Sequence, residues 1–220
     1  MRRIVIIVEG DTEEAFVNTM LQPYFIHKGI VVTCFKIKHT KGGLTKYAHF
    51  KKDIIKTVYE KNVVISSLID FYALPKDFPR YDEATAIVNK SDRLLFLENA
   101  IREDIEQTKG ASFAHLFPYI QLHEFEALVF SSITGIQALF EEDEANMTQI
   151  RTVINSHNSP EDINDSPATA PSKRLLNLIS GYNKIVDGVL ILNEIGLPTI
   201  IEKCPRFRWW LNELERRASL

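Results

Sequence analysis

Carboxylates gather where predicted strands end in this sequence. Glu9 directly follows the apolar run RIVIIV, and Asp70 directly follows the run VVISSLI. Glu124 and Glu126 follow a third apolar segment, in QLHEFEALVF. An unpaired charge next to a buried strand is costly, so acids in these positions call for a partner.

A divalent cation is the partner that clustered carboxylates suit best. Mg²⁺ binds oxygen ligands, typically one or two carboxylates plus substrate phosphates. A bound cation of this kind activates water and stabilises charge on a phosphoryl group. Glu9, Asp70 and Glu126 are therefore candidate metal ligands or general acid/base groups, with Glu124 as a supporting acid.

Several neighbouring acids have a simpler explanation. Asp11, Glu13 and Glu14 fall in the first turn of a predicted helix, where the helix dipole favours anions, and Asp11 or Thr12 is the predicted cap. That explanation does not apply to Glu9, because Glu9 precedes the predicted helix.

Strands and helices alternate along the chain. Hydrophobic periodicity predicts strands at 3–8, 29–37, 63–69 and 117–122, and helices at about 11–23, 44–61, 89–107 (capped by Ser91) and from 124. This order predicts an α/β fold with a mostly parallel sheet flanked by helices, and ligands at the carboxyl ends of the strands. We predict an α/β domain over residues 1–135 and a helical region over 136–220.

The composition is that of an ordinary globular protein. The 220 residues are 45% hydrophobic, with a net charge of −3, so contact with nucleic acid requires a local basic patch. Two distant cysteines match no zinc spacing and suggest a reducing, cytoplasmic setting. Neither a signal peptide nor a membrane span is expected.

Two basic segments are candidate nucleic-acid contacts. The glycine-containing loop KHTKGGLTK carries Lys38, Lys41 and Lys46, and PSKR carries Lys173 and Arg174. Such side chains neutralise phosphates. For the loop, a solvated surface loop is an equal alternative, and for PSKR an ordinary helix start is the favoured interpretation.

Two further features are open to both functional and structural interpretation. His123 is a candidate ligand or proton shuttle, or a hydrogen-bonded structural residue. Phe207, Trp209 and Trp210 near the end of the chain could stack on single-stranded nucleic acid, or belong to a helix core or a partner surface.

Three motifs in order resemble the Toprim catalytic domain: VEGDTEEAF, SLIDFYALP and QLHEFEALVF. They resemble more narrowly the Toprim nucleases of the overcoming-lysogenization-defect type, and most closely the bacterial family called domain of unknown function 4276. The resemblance to that family extends over most of the chain, including PSKRL and KCPRFRWWL.

The resemblance implies roles for individual residues. Glu9 matches the Toprim glutamate that serves as acid/base or ligand, Glu13 a second acid of the nuclease branch, and Asp70 the first acid of the later metal-binding motif. The usual second acid of that motif would stand at position 72, which is Tyr72. Its replacement would come from Glu126, Glu124 or, in the loop that follows, from Asp77.

The implied activity is a Mg²⁺- or Mn²⁺-dependent nuclease acting on DNA or RNA, in bacterial defence and with an ATPase partner. Because of Tyr72, a binding subunit that kept the fold and lost the chemistry is the alternative. A small-nucleotide phosphohydrolase is a third interpretation, which predicts a closed pocket.

Overall fold

A computed structural model describes residues 2–38, 43–72, 74–164 and 169–219. The chain forms two compact units, Met1–Leu122 together with Trp210–Leu220, and His123–Trp209. We call them the first and the second unit. The predicted boundary between an α/β domain and a helical region, at residues 135 and 136, stays a prediction.

The first unit contains a parallel sheet, as predicted, with five strands where four were predicted. Its strands are β1 (Arg2–Val8), β2 (Ile30–Lys36), β3 (Val63–Asp70), β4 (Leu116–Phe117) and β5 (Ile120–Gln121). The order is β2-β1-β3-β4, with β5 also paired to β3. After β1 the chain forms β2 on one side of it and then β3 on the other side. The topological switch point therefore lies between β1 and β3.

The burial of the strands explains their sequences. Every residue from Val63 to Ile69 in β3 is buried, and β1 is buried from Ile4 to Val8. Central parallel strands are covered on both faces, so their sequences are nearly continuous apolar runs. The edge strand β2 alternates more, and Thr33 is exposed.

The predicted fourth strand is interrupted. Instead of one strand over 117–122, Leu116 pairs with Ile65, and Ile120 pairs with Ile69. Pro118 lies between the two short strands, and proline has no N–H to donate to a strand ladder.

Helices pack around this sheet. Those of the first unit are α1 (Asp11–Phe16), a π-helical turn (Val17–Leu21), α2 (Gln22–Ile26), α3 (Tyr47–Thr57), α4 (Tyr81–Thr85) and α5 (Lys90–Lys109).

The first helical segment continues past its predicted end at Pro23. The Gln22 N–H bonds to the Val17 carbonyl, five residues back, so the helical ladder is already displaced where Pro23 enters. A π turn of this kind lets a helix accommodate a residue that lacks an N–H.

Two predicted helix caps are wrong. Gly10, not Asp11 or Thr12, occupies the cap position of α1, and its N–H donates to Glu13. In α5 the cap is Asn89, which accepts from the Asp92 N–H at 3.1 Å, rather than Ser91. In each case an earlier residue takes the extended backbone that a cap needs.

The second unit is helical, as predicted for the later part of the chain. It contains 3₁₀ helices at Phe125–Ser131 and Pro160–Asp162, and α6 (Ile133–Gln137), α7 (Met147–Asn155), α8 (Pro171–Leu178), α9 (Asp187–Ile195) and α10 (Leu197–Lys203). Helices α6 and α9 approach closely at Gly135, where an added Cβ would lie 2.5 Å from the Ile191 carbonyl oxygen.

The last helix, α11 (Pro205–Ala218), contributes residues to both units. Within the first unit Trp210 is fully buried and stacks on Tyr119, with ring centroids 4.5 Å apart. Its indole N–H donates to the Ser66 hydroxyl at 2.9 Å. Trp210 is thus a core residue, as is Phe207 in the second unit, while Trp209 is partly exposed.

Among the described residues, no helix is both long enough and apolar enough to cross a membrane.

Candidate functional site

Glu9 lies at the centre of the carboxyl edge of the sheet. It directly follows β1, and its two carboxylate oxygens accept hydrogen bonds from two different segments. Oε1 accepts from the Leu44 N–H at 3.1 Å, and Oε2 accepts from the Asp70 N–H at 3.2 Å. The side chain therefore joins the end of β1 to the end of β3 and to the segment that leads into α3.

Asp70 is the last residue of β3, and it is half-buried like Glu9. The structure thus brings together two of the predicted site residues, at the β1/β3 switch point where ligands of such sheets bind. Glu13 is buried, and its Oε2 accepts from the Gly10 N–H at 2.8 Å, so it turns back toward the residue that follows Glu9.

Two acidic residues lie at this edge. Among the described residues Glu9 forms no ion pair, and its Oε2 lies 3.2 Å from the backbone nitrogen of Asp70. In the described ranges, no group of three or more His, Cys, Asp or Glu side chains is arranged to hold a metal ion. Mg²⁺ commonly takes one or two carboxylates from a protein, so two acidic residues are a sufficient number for a candidate site.

Other carboxylates fix the ends of the basic loop. The buried Asp53 accepts from the Lys38 N–H at 2.8 Å and pairs with Lys56 at 2.7 Å. Both oxygens of Asp77 lie 3.1 Å from the Tyr47 nitrogen, at the first residue of α3.

Of the predicted phosphate-binding lysines of this loop, Lys38 and Lys46 are exposed. Lys41 lies outside the described residues. Asp77, an alternative for the second metal ligand, caps a helix in this structure.

Glu124 and Glu126 lie in the second unit and have partners there. Glu124 accepts from the Ser172 N–H at 2.8 Å and from its hydroxyl at 3.1 Å, so this carboxylate caps α8 from 48 residues away. Glu126 is fully buried, with Oε1 2.7 Å from Lys184 Nζ.

Burial raises the pKa of two side chains in this part of the second unit. It raises the pKa of the Glu126 carboxyl above its ordinary value; Lys184 opposes this shift and the charge of Glu124 adds to it. Burial, followed by the charges of Glu126 and Asp187, also raises the pKa of the Tyr182 hydroxyl.

The remaining predicted residues are distributed over the same unit. Lys173 and Arg174 lie in the first turn of α8; Lys173 is exposed, and the Arg174 Nε–H donates to the Thr169 carbonyl at 2.7 Å. His123 adopts a left-handed backbone with φ of 65°, and its Nδ1 lies 3.4 Å from the Asn164 amide nitrogen.

Sequence reasoning missed several acids that organise the structure. Asp53 and Glu161 are nearly fully buried, and Glu161 caps α11 by accepting from the Arg206 and Phe207 N–H groups at 2.9 and 3.0 Å. For α11 the signal was present, because Pro205 is a typical first helical residue and leaves the next N–H groups in need of an acceptor. Nothing local in the sequence indicates which distant acid provides it.

Comparison with known proteins gives a family but no characterised relative. No curated protein and no solved structure matches the chain. A family model described as Domain of unknown function (DUF4276) matches residues 8–215, nearly the whole chain and including Glu9, Asp70 and the second unit. The chain therefore belongs to the DUF4276 family.

Proposed function

We propose that this protein is a metal-dependent phosphodiesterase of Toprim type that cleaves DNA or RNA, with Glu9 and Asp70 as its central carboxylates. The observation that carries the proposal is the hydrogen bond from the Asp70 N–H to Glu9 Oε2 at 3.2 Å. It unites the acids that end the two central parallel strands at their switch point.

The donor chemistry of this edge suits Mg²⁺ or Mn²⁺. Glu9 and Asp70 offer carboxylate oxygens, which these hard cations prefer, and Glu13 is a further oxygen donor on the neighbouring helix. When bound, such an ion stabilises charge on a phosphoryl oxygen and lowers the pKa of a bound water.

The residues of the chain supply the rest of the reaction. Hydrogen bonds from Leu44 and Asp70 hold the Glu9 carboxylate in one orientation, so no energy is spent in arranging it during the reaction. A carboxylate at this edge that does not bind the cation accepts the proton of the attacking water. Lys38 and Lys46 are exposed at the two ends of the basic loop, where they contact the phosphodiester backbone.

A second candidate function is a binding subunit without catalysis. Two observations favour it: Tyr72 stands where the Toprim motif has its second acid, and the described residues contain no group of three potential metal-binding side chains. On this hypothesis Glu9 only joins the ends of β1 and β3.

The resemblance to Toprim nucleases suggests the setting of the activity. We propose a cytoplasmic protein that acts in bacterial defence with an ATPase partner. Both cysteines are free thiols, which suits a reducing compartment.

A metal-dependent cleavage assay tests the proposal. Plasmid, single-stranded DNA and tRNA are incubated with the native chain, Glu9→Gln and Asp70→Asn, with Mg²⁺, Mn²⁺ or EDTA. We expect cleavage that requires the metal and that falls by about 10² to 10⁴ in both variants, the usual contribution of a positioned acid/base group.

Glu103→Gln and Asp82→Asn are matched controls, since both acids are exposed in the first unit and neither is a candidate ligand. Cleavage that survives both Glu9→Gln and Asp70→Asn would refute the assignment. Binding of nucleic acid without metal-dependent cleavage, with or without the ATPase partner, would favour the second candidate.

A further inference from the structure

A large open groove lies at the opposite edge of the sheet from Glu9 and Asp70. Its volume is about 1050 Å³, and it is lined entirely by residues of the first unit. Arg3 near the start of β1 and Val63 at the start of β3 are opposite each other in the register, and both line it. With about 3.3 Å per residue, a strand of this length separates the groove from the carboxylate edge by about 20 Å.

The lining of the groove is basic. It contains the four cationic side chains of Arg3, Lys61, Arg216 and Arg217 and the carboxylate of Glu60. With Glu213, which pairs with two of the arginines, the local net charge is four minus two, or +2, with His115 neutral. The whole chain, in contrast, has a net charge of −3. A local basic surface on an acidic protein is the electrostatic signature of an anionic ligand.

Carboxylates hold all three of these arginines: Glu60 pairs with Arg3 within the groove, and Glu213 holds the other two from outside its lining. Glu213 pairs with Arg216 at 2.8 Å and with Arg217 at 3.3 Å, and it does not itself line the groove. The Arg217 side chain also donates to the Ala114 carbonyl at 3.2 Å. These contacts order the guanidinium groups, and Lys61 is exposed with no ion pair to any described residue.

An exposed aromatic ring stands among the cations. Tyr59 lines the groove and is 60% exposed, which is high for a ring of this size. It packs edge-on against Phe113, with ring centroids 5.5 Å apart. Lys109 Nζ lies 5.6 Å from the centre of the Tyr59 ring.

We propose that this groove, which we call the amino-edge groove, binds single-stranded nucleic acid. An aromatic ring for stacking beside several cations for phosphates is the combination that sequence-tolerant single-strand binding uses. Duplex nucleic acid keeps its bases stacked and has no use for Tyr59, and an acidic peptide needs only the cations. The volume is at the upper end of small-molecule sites, which suits an extended ligand.

The inference goes beyond the proposed cleavage, because binding in the amino-edge groove requires neither Glu9 nor Asp70. If both hold, one strand contacts the protein at two edges about 20 Å apart. The two proposals fail independently, since one is measured as binding and the other as metal-dependent cleavage.

Fluorescence anisotropy of the full chain with labelled oligo-dT and oligo-U of about 15 nucleotides tests the groove. All variants are made both in the native chain and in Glu9→Gln, so that cleavage does not affect the measurement. We expect Tyr59→Leu, which keeps apolar cover over Phe113, to weaken binding roughly 5- to 150-fold, the range for loss of one stacked base.

The double variant Lys61→Gln/Arg216→Gln tests the charges. Removing two phosphate contacts should reduce the slope of log K against log[salt] by about 1.4, at about 0.7 per contact for single strands. Lys52→Gln/Arg151→Gln is the control, because it removes the same charge at two exposed sites that do not line the groove.

Three results would overturn the proposal: no binding by the native chain, an affinity unchanged by Tyr59→Leu, or an equal loss in the control. Displacement of the oligonucleotide by polyglutamate of equal charge, together with no effect of Tyr59→Leu, would instead assign the groove to an acidic protein.

Discussion

Glu9 in the first unit differs in its hydrogen bonds from two buried glutamates of the second unit. In the second unit, Glu124 and Glu161 each direct both oxygens at the first turn of one helix. In the first unit, Glu9 divides its oxygens between two segments, Leu44 and the end of β3. A helix N-terminus is itself partly positive, so Glu124 and Glu161 meet compensating charge there, while Glu9 lies next to another acid.

This difference, rather than burial, is the basis on which we propose a function for Glu9. Glu124 and Glu161 are more buried than Glu9, yet each is accounted for by the N–H groups of a helix that would otherwise lack acceptors. The hydrogen bonds of Glu9 instead connect it to the end of β3 and to the segment before α3, at the edge where ligands of parallel sheets bind. That position is the physical basis for proposing a cation at the carboxyl edge of the sheet.

The largest expected effect contrasts Glu9 with Glu124. We expect Glu9→Gln to lower metal-dependent cleavage by about 10² to 10⁴, and Glu124→Gln to leave it within about threefold. Glu9→Gln puts an amide nitrogen where a carboxylate oxygen accepted an N–H and should lower the free energy of unfolding by about 1 kcal/mol. The amide of Glu124→Gln can accept from the Ser172 N–H and donate to the Ser172 hydroxyl, so this variant should lose less than about 1 kcal/mol. Cleavage rates and urea unfolding of the two variants measure this; an equal loss of activity would contradict the contrast.

Sequence reasoning succeeded where structure is local or periodic. The apolar runs before Glu9 and Asp70 correctly predicted central parallel strands, and the parallel order correctly placed these acids at one edge. It failed where a partner is distant: nothing near Ser172 or Arg206 indicates that Glu124 or Glu161 accepts its N–H, since such pairings depend on tertiary packing.

The next largest effect concerns the stability that Glu161 provides. We expect Glu161→Ala to lower the free energy of unfolding by about 3 kcal/mol, because it removes two charge-assisted hydrogen bonds and leaves the Arg206 and Phe207 N–H groups without their acceptor. Glu161→Gln keeps one acceptor and should cost about 1 kcal/mol. Urea denaturation measures both, and a change below about 0.5 kcal/mol in Glu161→Ala would show that α11 does not depend on this cap.

The close contact of α6 and α9 gives a smaller effect. The added Cβ of Gly135→Ala would lie 2.5 Å from the Ile191 carbonyl oxygen and 2.6 Å from Ile195 Cγ1. Backbone cannot yield as a flexible side chain does, so we expect a loss of about 2 kcal/mol. The exposed Gln137→Ala in the same helix is the control and should change stability by less than about 0.5 kcal/mol. Equal effects of the two substitutions would mean that α6 and α9 can move apart to fit the added Cβ at little cost in stability.

The smallest expected effect is at Asp77, where a structural and a functional role can be told apart. As the cap of α3, Asp77 accepts from the Tyr47 N–H, and its replacement by Ala should cost about 1 kcal/mol. Asp77→Ser retains a capping group but not a carboxylate, so it should restore most of that stability.

The same two variants also test whether Asp77 replaces the second acid of the Toprim motif, whose position is occupied by Tyr72. If Asp77 only caps α3, Asp77→Ser cleaves nucleic acid like the native chain at saturating Mg²⁺. If it supplies the second acid of the metal site, Asp77→Ser is as inactive as Asp77→Ala in spite of its restored stability, and the metal concentration for half-maximal activity rises. Asp77 would then join Glu9 as an acid whose role extends beyond its hydrogen bonds to the backbone.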